Sequence, residues 1–148
     1  MGQTYTANYY HIVFSVKQRR SIISPSIEKR LHPFLATMVN EKYGKCLIIN
    51  GTTDHLHILC HLKAKFSLSD VLRDLKSESS KWLNSHFHFK NAFHWQAGYG
   101  CFSVSFSNVP IVYRYIERQK EHHGAISSEE EFDLFLLRHQ LPKTAYHE

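Results

Sequence analysis

The chain has 148 residues, 43% hydrophobic and 14% aromatic, enough to bury one real core and too apolar for a disordered segment. No run of about eighteen apolar residues occurs, and Met1-Gly2-Gln3-Thr4 lacks a charged-then-apolar leader, so a cytoplasmic protein with no membrane partner is expected. The net charge of +5, with twelve histidines taken as neutral, and a pI of about 9.1 favour a polyanionic partner, though only modestly.

No Pro/Gly/Ser-rich linker or internal repeat divides the chain, which predicts a single domain over residues 1–148 with its core at about 8–137 and short flexible ends. Asn8 to Val16 reads as a strand, with Tyr10, Ile12, Phe14 and Val16 on one face and His11 on the other. A basic cluster, Lys17, Arg19 and Arg20, ends it and is a candidate for phosphate contacts. Ser24-Pro25 opens a helix whose apolar positions run from Ile27 to Val39 and which Gly44 closes. Pro33 predicts a kink within it.

Lys45 to Gly51 and His55 to Leu62 read as two strands joined through Asn50-Gly51, hence an antiparallel pair. Ser67 or Ser69 caps a second helix with Leu68, Val71, Leu72, Leu75, Trp82 and Leu83 toward the core, and with Arg73, Lys76 and Lys81 off that stripe. Asn84 to Asn91 breaks the periodicity. His86 and His88 within it sit in a polar, loop-like run and are not read as a metal pair.

Phe93 to Gln96 and Phe102 to Phe106 predict one or two more strands. Asn108 and Pro110 open a helix carrying Tyr115, and Ser128 with Glu131 reads as a capping box for a last short helix. The three cysteines, Cys46, Cys60 and Cys101, have neither metal nor redox spacing and are expected to be reduced packing residues. The order strand-helix-strand-strand-helix-strand is that of an α+β, ferredoxin-like or RRM-like βαββαβ sandwich. Two helices would cover one face of its antiparallel sheet. The other face would be left for nucleic acid and the C-terminal tyrosine-bearing helix.

Two short stretches carry the chemistry. In Asp54-His55-Leu56-His57-Ile58-Leu59, alternation puts His55 and His57 on one face, about 6.6 Å apart along the strand, a spacing that suits two imidazoles on one metal ion. In Tyr115-Ile116-Glu117-Arg118-Gln119, helical spacing stacks Tyr115 and Gln119, about 6 Å apart along the axis. A phenol nucleophile and an amide oxygen can then approach the same metal. Tyr113 is rotated about 200° away on that helix and is a poor second nucleophile.

His55-Leu56-His57 resembles the His-hydrophobe-His motif of single-strand DNA endonucleases that use a tyrosine nucleophile. Tyr115 to Gln119, followed by His122-His123, resembles the Tyr-Ile-x-x-Gln-x-x-His-His signature of the single-tyrosine transposases of the IS200/IS605 class. The related REP-associated tyrosine transposases share much of it. Trp95-Gln96-Ala97-Gly98-Tyr99, leading into Phe102-Ser103-Val104-Ser105, is similar to the segment these proteins carry before the tyrosine helix. The likeness runs from about Tyr9 to about Phe135.

The resemblance implies a transposase that cuts and rejoins single-stranded DNA through a 5′-phosphotyrosine on Tyr115, recognising hairpins at element ends. It implies Mg²⁺ or Mn²⁺ held by His55, His57 and Gln119. It also implies a homodimer whose active sites are completed in trans, while the glycine-free segment Ser107-Asn108-Val109-Pro110 before the tyrosine helix leaves docking within one chain open. Lys17, Arg19, Arg20, Arg73, Lys76 and His122 are candidate DNA contacts. No clear base for Tyr115 is legible; His122 and His123 are candidates. Three rivals stand beside this reading. One is a REP-associated transposase acting on palindromes. Another is a non-catalytic single-strand binding module stacking bases on Tyr9, Phe93 and Trp95. The third is a His-metal hydrolase of small molecules.

Overall fold

A computed structural model describes residues 2–122 and 126–142. Strand β1 (Tyr9–Ser15) is followed by α1 (Pro25–Met38), the hairpin β2 (Gly44–Gly51) and β3 (His55–Leu62), then α2 (Leu68–His86) and β4 (Gly100–Val104). The strands lie in the order β2-β3-β1-β4, all antiparallel, so the expected βαββαβ sandwich is present.

Alternation along β1 and β3 divides the sheet into two chemically distinct faces. Ile12, Phe14, Leu56, Ile58 and Cys60 point toward α1 and α2 and join Leu31, Leu35, Leu72 and Leu75 in the main core. Phe93 and Trp95 are buried there too, with the Trp95 indole N–H donating to Ser79 Oγ at 2.9 Å. These two rings are therefore core, not base-stacking platforms.

The local signals held with some shifts. Ser24 caps α1, which runs through Pro33 and ends in a single π-helical turn, Val39–Tyr43. Ser67, rather than Ser69, caps α2. That helix continues to His86, past the polar break expected at Asn84. The Asn84 side chain accounts for this: it donates to the carbonyls of Ser80 and Phe93 and accepts from the Phe93 N–H, tying the helix end to the next segment. Phe93 to Gln96 forms only an isolated bridge, Trp95 to Val16.

The opposite face is covered by C-terminal helices. Helix α3 (Val109–Glu117) begins at Asn108 without a side-chain cap bond. The chain leaves helical geometry at Arg118 and resumes in α4 (Gln119–His122), so Tyr115 and Gln119 stand on two helical pieces. Helix α5 (Ser128–Arg138) is capped by Ser127, whose Oγ accepts from the Glu130 N–H, so the expected Ser128–Glu131 box sits one residue too late. No helix among the described residues is long and apolar enough to cross a membrane.

Candidate metal and tyrosine site

The second sheet face carries His11 and Val13 on β1 and His55 and His57 on β3. β3 lies between β2 and β1, so His57 is paired with Val13 on one side and Asn50 on the other. A strand held by two ladders cannot slip without moving every side chain to the wrong face. Both imidazoles are covered: His55 is 2% exposed and His57 fully buried.

Each ring has one nitrogen tied down from behind. His55 Nδ1 lies 2.7 Å from Asp54 Oδ1, and Asp54 Oδ2 accepts from Ser128 Oγ at 3.2 Å. His57 Nδ1 lies 2.7 Å from Nε2 of His11, itself buried. Such backing orients metal-binding imidazoles and sets which nitrogen is presented forward.

The forward Nε2 atoms of both rings meet Glu131. Its Oε1 lies 3.3 Å from His55 Nε2 and 3.0 Å from His57 Nε2. Its Oε2 accepts from the Tyr115 hydroxyl and from Gln119 Nε2, the latter at 3.1 Å. One buried carboxylate thus gathers the two imidazoles, the phenol and the amide. Helix α3 is held over this face by the Asn50 side chain, which donates to the carbonyls of Ile116 and Glu117. Phe132 and Phe135 of α5 pack beside it against Val13, Phe102 and Tyr115.

Electrostatics follow the same pattern. Burial opposes the charged form of His55, but Asp54 and Glu131 outweigh it and raise its pKa. Burial likewise pushes the Glu131 carboxyl up, yet His55 and His57 bring it below its ordinary value. His11 lies well below the usual histidine range, first through burial and then through His57, and stays neutral. A neutral His11 can donate or accept toward His57, whichever tautomer that ring adopts.

The donor set fits a divalent ion. Ligand atoms of His55, His57 and Glu131 lie within 4.8 Å of one another. Neighbouring ligands of an octahedral ion with 2.0–2.1 Å bonds are about 3 Å apart, as Glu131 Oε1 is from each imidazole.

The remaining sequence candidates divide by face. Arg19 reaches the site and donates to Ser128 Oγ at 3.2 Å, whereas Lys17 and Arg20 line an adjoining cavity. Arg73 and Lys76 are on α2, across the sheet. Arg73 pairs with Asp70 and Asp74, and Lys76 donates to the carbonyls of Gln96 and Gly98. The His122 side chain and all of His123 lie outside the described residues.

Sequence reasoning missed Glu131 and His11. The signal for Glu131 was present: Ser127–Glu130 and Ser128–Glu131 both have capping-box spacing, and one acid had to be left over. His11 showed only its face, since its partner is set by strand register.

The family model described as "Transposase IS200 like" matches residues 4–119. The transposases for insertion sequence element IS200 of Salmonella typhimurium LT2 and of Salmonella typhi are each 29% identical over 117 residues, covering 76% of either chain. Among solved structures, a protein described as a transposase from Deinococcus radiodurans R1 superposes with a TM-score of 0.64 at 20% identity. The match spans 80% of this chain and 96% of that one. A REP-associated tyrosine transposase bound to a REP hairpin gives 0.63 at 14% identity, over 85% and 74% of the two chains.

Proposed function

Since this chain belongs to the family of IS200-like transposases, we propose that it cuts and rejoins single-stranded DNA through a covalent bond to Tyr115, in the cytoplasm and at hairpin-bearing element ends. The observation that carries the reading is the convergence on Glu131: nucleophile, amide and both imidazoles meet at one buried point. His55, His57, Gln119 and Glu131 would hold Mg²⁺ or Mn²⁺, which would withdraw charge from the phosphate under attack.

In the cleavage step Tyr115 Oη bonds to phosphorus and the bond to the 3′ oxygen breaks. That oxygen takes a proton and leaves as a 3′-hydroxyl, while the phenol gives one up. The product is a 5′-phosphotyrosine. Because one phosphodiester replaces another, rejoining to a second strand needs no nucleotide cofactor. The strand-held imidazoles fix where the phosphate must sit, and α3 brings the phenol to it.

The test is incubation with hairpin-bearing single strands and Mg²⁺, followed by a search for a denaturant-resistant protein–DNA adduct. Tyr115→Phe should keep DNA binding within about twofold while adduct falls at least about 10³-fold. Wild-type adduct from that variant would sink the assignment. The REP-type reading shares this chemistry and has a fold match of similar score, but the matches by sequence are to IS200 transposases.

Assembly as a homodimer is part of the proposal. Within one chain α3 already docks on its own sheet, so a cis site needs no exchange of helices. Mixing Tyr115→Phe and His57→Ala subunits separates the arrangements. Recovered adduct in a verified heterodimer indicates a trans site, and none indicates cis.

A further inference from the structure

We propose that the cavity beside the Lys17–Arg20 turn binds one nucleotide of the single strand next to the cut phosphate; this rests on the single-stranded DNA reading above. The cavity has a volume of about 460 Å³, within the roughly 300–1,000 Å³ that small-ligand sites occupy. Val16, Ile22 and Phe89 line it together with Lys17, Arg20 and Lys90. A cavity whose lining mixes apolar groups with cations suits a base with its phosphate.

Position ties it to the site. Val16 follows Ser15, the Cα partner of His55, and its N–H donates to the Asp54 carbonyl at 2.8 Å. The turn is a wall between two spaces: Lys17, Gln18 and Arg20 face this cavity, while Arg19 faces the cleft of about 220 Å³ that also holds His55 and Glu131.

The wall is built, not loose. Gln18 and Arg19 both adopt left-handed backbone, φ 60° and 51°, which non-glycine residues rarely do in succession. They are held there by bonds from the Lys17 N–H to the His94 carbonyl and from the Gln18 N–H to Gln96 Oε1, each 3.0 Å. Strained backbone secured from outside is common at binding sites.

Charge points the same way. Lys81, Lys120 and Arg73 each pair with a carboxylate. Among the described residues no acid lines this cavity, and Lys17, Arg20 and Lys90 form no ion pair. Three cations in the lining of this cavity are left to an anion from outside.

The experiment is fluorescence anisotropy of a labelled oligothymidylate of about ten nucleotides, titrated with the full chain in EDTA across a range of salt. Replacing Lys17 and Lys90 together by Ala should lower the slope of log affinity against log salt by roughly 1.4, at about 0.7 per phosphate contact on single strands. Affinity at 0.1 M salt should fall roughly 25-fold if the counterion contribution vanishes near 1 M. The aromatic NMR signals of Phe89 and His94 should move on titration of the wild type and stay still in the double variant. An unchanged slope, or signals that move equally in both proteins, overturns the proposal. If wild type forms the Tyr115 adduct but the double variant binds as tightly, this pocket fails alone. If the slope falls as stated and no adduct ever forms, the cleavage reading fails and the pocket stands.

Discussion

The two halves of the site meet at the same atoms but are held in different ways. His55 and His57 belong to a strand hydrogen-bonded on both sides, and their positions follow from the register of the whole sheet. Glu131 belongs to a helix near the end of the chain, held over the sheet by the Ser128–Asp54 contact, the Arg19–Ser128 bond and the packing of Phe132 and Phe135. Strand ladders fix a side chain to a fraction of an ångström. A short helix resting on a few side chains can leave without disturbing the sheet. The strand half therefore sets where the two imidazoles stand, and the helical half sets whether the carboxylate, phenol and amide reach them.

The largest effect that would sharpen this contrast is in metal binding. His57→Ala should abolish Mn²⁺ binding followed by electron paramagnetic resonance. It should also cost roughly 1–3 kcal/mol in denaturant melts, because His11 and Glu131 lose a buried partner. Two-residue alternation turns this histidine away from the main core. It enters a second buried layer instead. Full Mn²⁺ affinity in His57→Ala would place the metal elsewhere.

Glu131→Gln comes next and tests the other half. The substitution keeps shape and removes charge, so Mn²⁺ should bind roughly tenfold more weakly while the sheet stays intact. Gel filtration and far-ultraviolet circular dichroism should match wild type. Unaltered metal affinity would make Glu131 a lid residue rather than a ligand.

The smallest effect is in the pH dependence of the metal-free protein. The folded pKa of His55 is raised, so its contribution is full below its ordinary 6.5 and lost as pH rises through the folded value. Asp54 and Glu131 are depressed, so theirs is present above the ordinary 3.8 and 4.5 and lost on acidification. His11 is lowered, so stability falls as pH drops below 6.5 toward its folded value. Between pH 7.5 and 5 the His11 loss and the His55 gain oppose each other. His11→Phe keeps an aromatic ring beside Phe102 and Phe135 and removes the first, at a cost from the lost His57 contact that offsets the whole curve. Thermal melts in EDTA should then show that variant gaining stability, relative to wild type, as pH falls. Parallel curves for the two proteins would show that His11 does not titrate against the fold.

Much of this was readable from the chain because the deciding forces are local. A period of two over His55 to Leu62 is enough to put two histidines on one face. Ser24-Pro25 and Ser67 are enough to start two helices, since capping depends on residues three apart. Tyr115 and Gln119 were legible as a pair for the same reason, although the break at Arg118 was not.

Tertiary structure decided what no local pattern encodes. Glu131 could cap its own helix or reach across to β3, and both uses have the same sequence signature. The choice went to Ser127 and Glu130 at the cap, leaving Glu131 to the imidazoles. His11 acquired His57 as a partner only when β1 paired with β3 in one register out of several. The gathering of residues 11, 55, 57, 115, 119 and 131 around one point is a product of long-range packing, where contact depends on the whole sheet and on the helices laid over it.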